Sequence, residues 1–203
     1  TVSARLGSNT PVSAQVRFAA DASTARLVIE TSSDATTANG TDSHPVTLKV
    51  EDAQGNALAG VRAVRLEVPT AGPLFSNDGV SLSANTDDNG ELEVPLTSMV
   101  AGTFTVSARL GSGTAVSTQV TFAADLSTAR LIIETSADTK TATGADPHPV
   151  TLKVVDAQNN ALAGTHTVTL SVPADGPLFS NNAATLSTTT NNNGELEVPL
   201  TST

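Results

Sequence analysis

Residues 85–91 read NTDDNGE, and carboxylates and amide oxygens gathered round a glycine are the donor set that a calcium ion takes. The chain returns to this place later as TTTNNNGE, residues 188–195, where the aspartates are gone and a cation would lose most of its charge complement. A hairpin turn explains both versions, because Asn, Asp and Gly tolerate the positive φ that such a turn demands. Asp21 and Asp125, with Glu30 and Glu134 some way behind them, are too few and too scattered for a metal. Their expected role is a solvated charge or a cap on a backbone turn. His44 and His148 each stand before a proline, and His166 stands by itself. A catalytic triad or a zinc site needs partners at ligand spacing, and with none in view the histidines are expected in loops.

Two rarer chemistries fail on geometry. A Lys–Asn isopeptide bond needs a buried lysine beside a carboxyl group, and alternation puts Lys49 and Lys153 on the polar face of their strand. The threonines of LSTTTN, residues 186–191, would have to form regular ranks on a flat face to bind ice, and they make one short edge. No nucleophile–base pair and no phosphate loop is present either. No catalytic, cofactor-binding or metal residue is therefore assigned, no cofactor is expected, and the chain is not read as an enzyme.

Composition narrows the partners. With 20 acidic and 10 basic side chains the net charge of the 203 residues is −10, which argues against nucleic acid and anionic membranes. There is no cysteine, which excludes disulfides, thiolate metal sites and thiol nucleophiles together. Trp and Tyr are absent and Phe occurs five times, so the stacking platforms of sugar sites and the usual anchors of protein interfaces are missing. No apolar run is long enough to span a bilayer and no signal-peptide pattern is visible. That fits an internal piece of something already exported, or a cytosolic protein.

What must position these residues is a repeat. Shifted by 104 residues the sequence meets itself without a gap, 69 of 99 overlapping positions being identical, a period that suits tandem domains with separate cores rather than a solenoid. The segments FAADASTARL and FAADLSTARL read as junctions. Residues 22–125 are then one complete domain, residues 126–203 a domain lacking its last two strands, and residues 1–21 the last two strands of a preceding domain. The expectation is a piece cut from a longer array, out of phase with its domains.

Seven runs in 22–125 alternate apolar and polar residues: 25–31, 46–52, 61–68, 79–85, 91–97, 103–110 and 115–122. AQGN, PTAGP, DDNG and GSGT supply turns between them. Pro95 removes a ladder donor in mid-run, so its strand should be an edge or carry a bulge. The predicted fold is all-β: tandem immunoglobulin-like sandwiches of about seven strands, arranged end to end and packed by aliphatic side chains.

The strings VTLKVEDAQGNALAG, LEVPTAGPLFS and NTDDNGELEVPLTSMVAGTFTVSARL resemble the group 1 bacterial immunoglobulin-like domain, the repeat of intimin/invasin-type adhesins. The likeness covers all of 22–125. The family's V-x-D-A-x-G-N-x-x-x-G turn falls on Val50, Asp52, Ala53, Gly55, Asn56 and Gly60. Its second pattern falls on Asp87, Gly90, Leu92, Val94, Leu96, Thr97 and Ser98. In the second copy Gly55 becomes Asn159 and Asp87 becomes Asn191, replacements a turn tolerates. The resemblance implies a surface protein anchored in a Gram-negative outer membrane, with its repeats extracellular.

The leading functional expectation is mechanical: rigid spacers, each about 35–40 Å long, project a binding tip for attachment to host or neighbouring cells. The alternative is that the repeats themselves bind a host protein or a neighbouring adhesin, by strand addition at exposed sheet edges. Expected partners are the neighbouring repeats and, through parts outside this segment, a host surface protein; nucleic acid is not one. Residues 1–21, at net +1, and 126–203, at net −4, together supply nearly a whole unit. They are therefore expected to complete each other head to tail between copies, or else to belong to a longer ordered chain.

Overall fold

The computed structural model describes residues 1–203. A short hairpin comes first, β1 (Val2–Ala4) with β2 (Val12–Ala14). The first unit follows with β3 (Arg26–Thr31), β4 (Thr36–Thr37), β5 (His44–Glu51), β6 (Ala63–Glu67), β7 (Leu74–Phe75), β8 (Ser81–Asn85), β9 (Glu91–Thr97), β10 (Gly102–Leu110) and β11 (Val116–Ala123). The second unit holds β12 (Arg130–Thr135), β13 (His148–Val155), β14 (Thr167–Ser171), β15 (Leu178–Phe179), β16 (Thr185–Thr189) and β17 (Glu195–Thr201).

In the first unit β3-β5-β9-β7 form one sheet and β4-β11-β10-β6-β8 the other. Alternation decides which side chains enter the space between them. Val46, Leu48, Val50, Val94 and Leu96 face inward from one sheet, and Leu66, Val106, Ala108, Val120 and Phe122 from the other, all at most 2% exposed. Burying each of the larger ones contributes about 1.5–3 kcal/mol. The seven alternating runs all form strands. The two elements that periodicity does not announce, β4 and β7, are two residues long and tie sheet margins: β4 runs parallel to β11 through Thr36 and Phe122, and β7 meets β9 at Leu96 and Thr97.

Pro95 lies opposite Pro45 in the β5–β9 ladder. Val50 donates its N–H to Gly90, so by alternation the odd-numbered residues of β5 turn their amides away from β9, and the two prolines share a position where neither donor is needed. The strand is therefore neither the edge nor the bulged strand expected: β9 lies between β5 and β7, and Pro95 is tolerated because it faces the flank just beyond the two positions, Leu96 and Thr97, that β7 pairs.

His44 departs from the expectation of a loop. It opens β5, it is fully buried, and its ring lies 5.8 Å from that of Phe122. Its Nε2 is 2.7 Å from Thr31 Oγ1 and its Nδ1 is 2.9 Å from Thr36 Oγ1. One neutral imidazole can donate to one hydroxyl and accept from the other, so His44 fastens β3 and β4 to β5. Burial away from water lowers its pKa below the ordinary histidine value. His148 also opens its strand but is only half-buried, with Nε2 3.1 Å from the Asp138 carbonyl oxygen and no hydroxyl partners like those of His44.

The second unit repeats the first as far as it goes. Its β12-β13-β17-β15 sheet keeps the register, with His148 opposite Leu200 and Pro149 opposite Pro199, and β14 pairs with β16. Its central cluster is Val150, Leu152 and Val168, against sixteen residues in the first unit. Leu131 and Ile133 are 49% and 62% exposed, whereas their counterparts Leu27 and Ile29 are buried and half-buried. They line a cleft of about 280 Å³ with Val150, Leu152, Val168 and Leu170.

Candidate functional site

The turn chemistry singled out in the sequence is local. Asp87 Oδ1 accepts from the N–H groups of Asn89 and Glu91 at 2.9 and 2.8 Å, and Asn191 Oδ1 accepts the equivalent pair at 2.9 Å each. An amide oxygen does what the carboxylate does, which is why the replacement is harmless. Lys49 lies on the outer face, 3.0 Å from Glu30, and Lys153 is 3.8 Å from Glu134. His166 bonds the Leu162 carbonyl at 3.1 Å. Asp21 and Asp125 each cap a one-turn 3-10 helix, at Ala22–Thr24 and Leu126–Thr128, through Ser23 and Ser127. No three His, Asp or Glu side chains come together as a metal site.

The polar groups that do converge are at the junction between the units. Asp156 follows β13 and is fully buried. Its Oδ1 accepts from the backbone N–H of Gln158 and Asn160 at 2.9 and 2.8 Å, which closes the turn. Its Oδ2 accepts from the Asp125 N–H in the linker at 3.1 Å and from Asn160 Nδ2 at 2.8 Å. Asn160, so held, reaches the preceding unit: Nδ2 donates to the Met99 carbonyl at 2.9 Å and Oδ1 accepts from the Ala101 N–H at 2.8 Å. Arg130 Nε closes the set on the Asp156 carbonyl at 3.2 Å, and Thr128 Oγ1 accepts from the Ala157 N–H at 3.1 Å. One carboxylate therefore ties linker, turn and, through Asn160, the loop of the unit before.

Burial opposes the charge on Asp156, but the bonds from Asn160, Asp125 and Gln158 outweigh it and hold the carboxyl below its usual range. At Asp52 the Asn56 side chain is the largest influence, and the pKa is lowered to about 2. The covered patch also differs from its counterpart. Val155, which faces out of its own core by alternation, is 4% exposed, and Gln158 and Asn160 are half-buried where Gln54 and Asn56 are exposed.

The model of the bacterial Ig-like domain, group 1, matches residues 26–123. This chain carries a group 1 bacterial Ig-like domain. The inverse autotransporter adhesin YeeJ of Escherichia coli strain K12 is 34% identical over 164 residues, which is 78% of this chain and 7% of that relative's length. Among solved structures, invasin, described as a bacterial integrin-binding protein, aligns with 87% of this chain and 34% of its own at 23% identity and a TM-score of 0.45. The D0-D1 domain of intimin aligns with 87% of this chain and 84% of its own at 25% identity and a TM-score of 0.41. YeeJ is named an adhesin, and this chain spans only a small part of its length. No helix of the chain is long and apolar enough to cross a membrane.

Asp52 and Asn56 lie in the family's turn, and their residue types alone assign them no work beyond turning. They recur as Asp156 and Asn160, but so do Ala53 and Gln54 as Ala157 and Gln158, so recurrence in so similar a repeat does not single the pair out. Only the position before the asparagine changes, from Gly55 to Asn159, both at positive φ, 81° and 69°.

Proposed function

We propose that the Ig-like units are spacers in the stalk of a bacterial surface adhesin, laid end to end outside the outer membrane so that a distal part can reach its target. The junction carries this reading: Asn160 grips the backbone of the preceding unit while Asp156 grips both Asn160 and the linker, which leaves the second unit little freedom to swing. The net charge of −10 discourages units from folding back on one another. Similarity to an inverse autotransporter adhesin supports the surface location and a role in attachment, with a host protein engaged through parts outside this segment. Small-angle scattering on the 203-residue chain is expected to give a rod of roughly 70–80 Å across its two units; units lying side by side would overturn the reading.

We further propose the domain division already drawn at 22 and 126, with residues 1–21 able to complete residues 126–203 of another copy. The hairpin supports this. Val2, Ser3 and Ala4 pair with Ala14, Ser13 and Val12, the register that Val106, Ser107 and Ala108 keep with Thr118, Ser117 and Val116. In β10 and β11 the apolar residues at these positions fill the first core; in the hairpin region Val2, Val16 and Phe18 are 59%, 51% and 94% exposed. The cleft lined by Leu131 and Ile133 occupies the matching side of the second unit. Sedimentation velocity is expected to show linear oligomers growing with concentration, and Phe18→Asp or removal of residues 1–21 to abolish them. A chain that stays monomeric at high concentration refutes complementation without touching the spacer reading.

A further inference from the structure

Asn56 stands in the first unit where Asn160 stands in the second, with the same surroundings. Its Nδ2 donates to Asp52 Oδ2 and its backbone N–H to Asp52 Oδ1, both at 2.9 Å, and the Asp21 N–H reaches Oδ2 at 3.1 Å. Thr24 Oγ1 accepts from the Ala53 N–H at 3.1 Å and Arg26 Nε donates to the Asp52 carbonyl at 3.2 Å, as Thr128 and Arg130 do one unit later. Asn160 makes two more bonds, to Met99 and Ala101; Asn56 makes neither and is exposed.

We infer that Asp52 and Asn56 form a docking site for a preceding Ig-like unit, whose occupant is the loop after that unit's counterpart of β9, held by one backbone carbonyl and one backbone N–H. The inference rests on the spacer reading. Two observations choose this occupant. The same pair of side chains already holds such a loop at the second junction. The approach is also the same: residues 1–18 repeat 105–122 at 14 of 18 positions, and the linker that follows is capped alike, Asp21 accepting from Ser23 at 2.9 Å and Asp125 from Ser127 at 3.0 Å. One difference sharpens it. Where the second unit has Val155, 4% exposed, the first unit has Glu51, which turns to Arg26 at 3.3 Å. A charged, ion-paired side chain beside the turn offers a preceding unit little apolar surface, so docking on the first unit depends on Asn56.

The test inserts a second copy of residues 22–125 between Asp21 and Ala22 of the full chain and follows the side-chain amides of Asn56 and Asn160 by NMR. One of the two Asn56 amides is expected to stay as in the parent chain. The other should move toward the Asn160 signal and exchange about tenfold more slowly, the factor expected of one added hydrogen bond. Spin labels on cysteines introduced either side of the new junction, in a chain otherwise free of cysteine, should give a narrow distance distribution. Asn56→Ala in the later copy should broaden it; so should Ala101→Pro in the inserted copy, which removes the N–H and leaves the Asp52 turn whole. If both Asn56 amides stay unmoved while Asn160 is protected, the inference falls alone. If Asn160 is itself unprotected, the latched junction falls with it.

Discussion

Replacing His44 by leucine separates the buried imidazole's two contributions to the first unit. The side chain keeps its bulk but loses the contacts to Thr31 and Thr36 at 2.7 and 2.9 Å. Thr31 retains the Pro45 carbonyl at 3.1 Å, whereas Thr36 is left without its partner. At about 1 kcal/mol for each hydrogen bond, the variant should be destabilised by about 2 kcal/mol at neutral pH. The second contribution depends on pH. Burial lowers the folded-state pKa of His44, so as pH falls below the unfolded value of about 6.5 the unfolded chain takes up a proton before the folded one does. Stability from this group is complete above that pH and declines beneath it, by at most about 1.4 kcal/mol per pH unit, until the folded histidine is itself protonated. With no Trp or Tyr to report, urea melts are best followed on the methyl signals of Val106 and Val120, which belong to the first unit. The natural chain should lose stability between pH 6.5 and 5 and His44→Leu should lose little more than it has already lost. Equal slopes in the two proteins would refute the argument.

Three further outcomes follow from the same geometry. Asn160→Ala removes both bonds to the Met99–Ala101 loop, and at about 1 kcal/mol each it should widen the distribution of inter-unit distances while the methyl spectrum of each core stays put. Gly90→Ala should cost about 3 kcal/mol or more in a urea melt, because φ is +80° and a Cβ would overlap the Leu58 carbonyl oxygen; Gly194→Ala meets Leu162 in the same way and should unfold the more thinly packed second unit. Asp52, with its pKa lowered to about 2, should add stability that is complete above pH 4 and lost as pH falls toward 2, a transition that Asp52→Asn should remove from an acid titration followed by circular dichroism.

Most of the sandwich was legible because alternation is a physical requirement of a sheet with one wet face, and the repeat displayed that alternation twice. The same rule, carried one step further, would have placed His44 correctly. It is in phase with Val46, Leu48 and Val50, and it was expected in a loop only because no catalytic or ligand partner was in view. β4 and β7 were hidden because two residues cannot show a period. The latch at Asn160 was hidden for a different reason: both bonds that matter run to main-chain atoms of a loop some sixty positions earlier, and a main chain leaves no trace in residue identity.

That choice of main-chain atoms bears on how such proteins change over generations. Met99 and Ala101 are recognised without regard to their side chains, so a neighbour with a different loop sequence would couple at the same angle. Genes with near-identical repeats recombine and gain or lose copies, and here a copy could be deleted, duplicated or imported while the alignment of the rest survives. In the proposed stalk, length would be adjustable separately from stiffness.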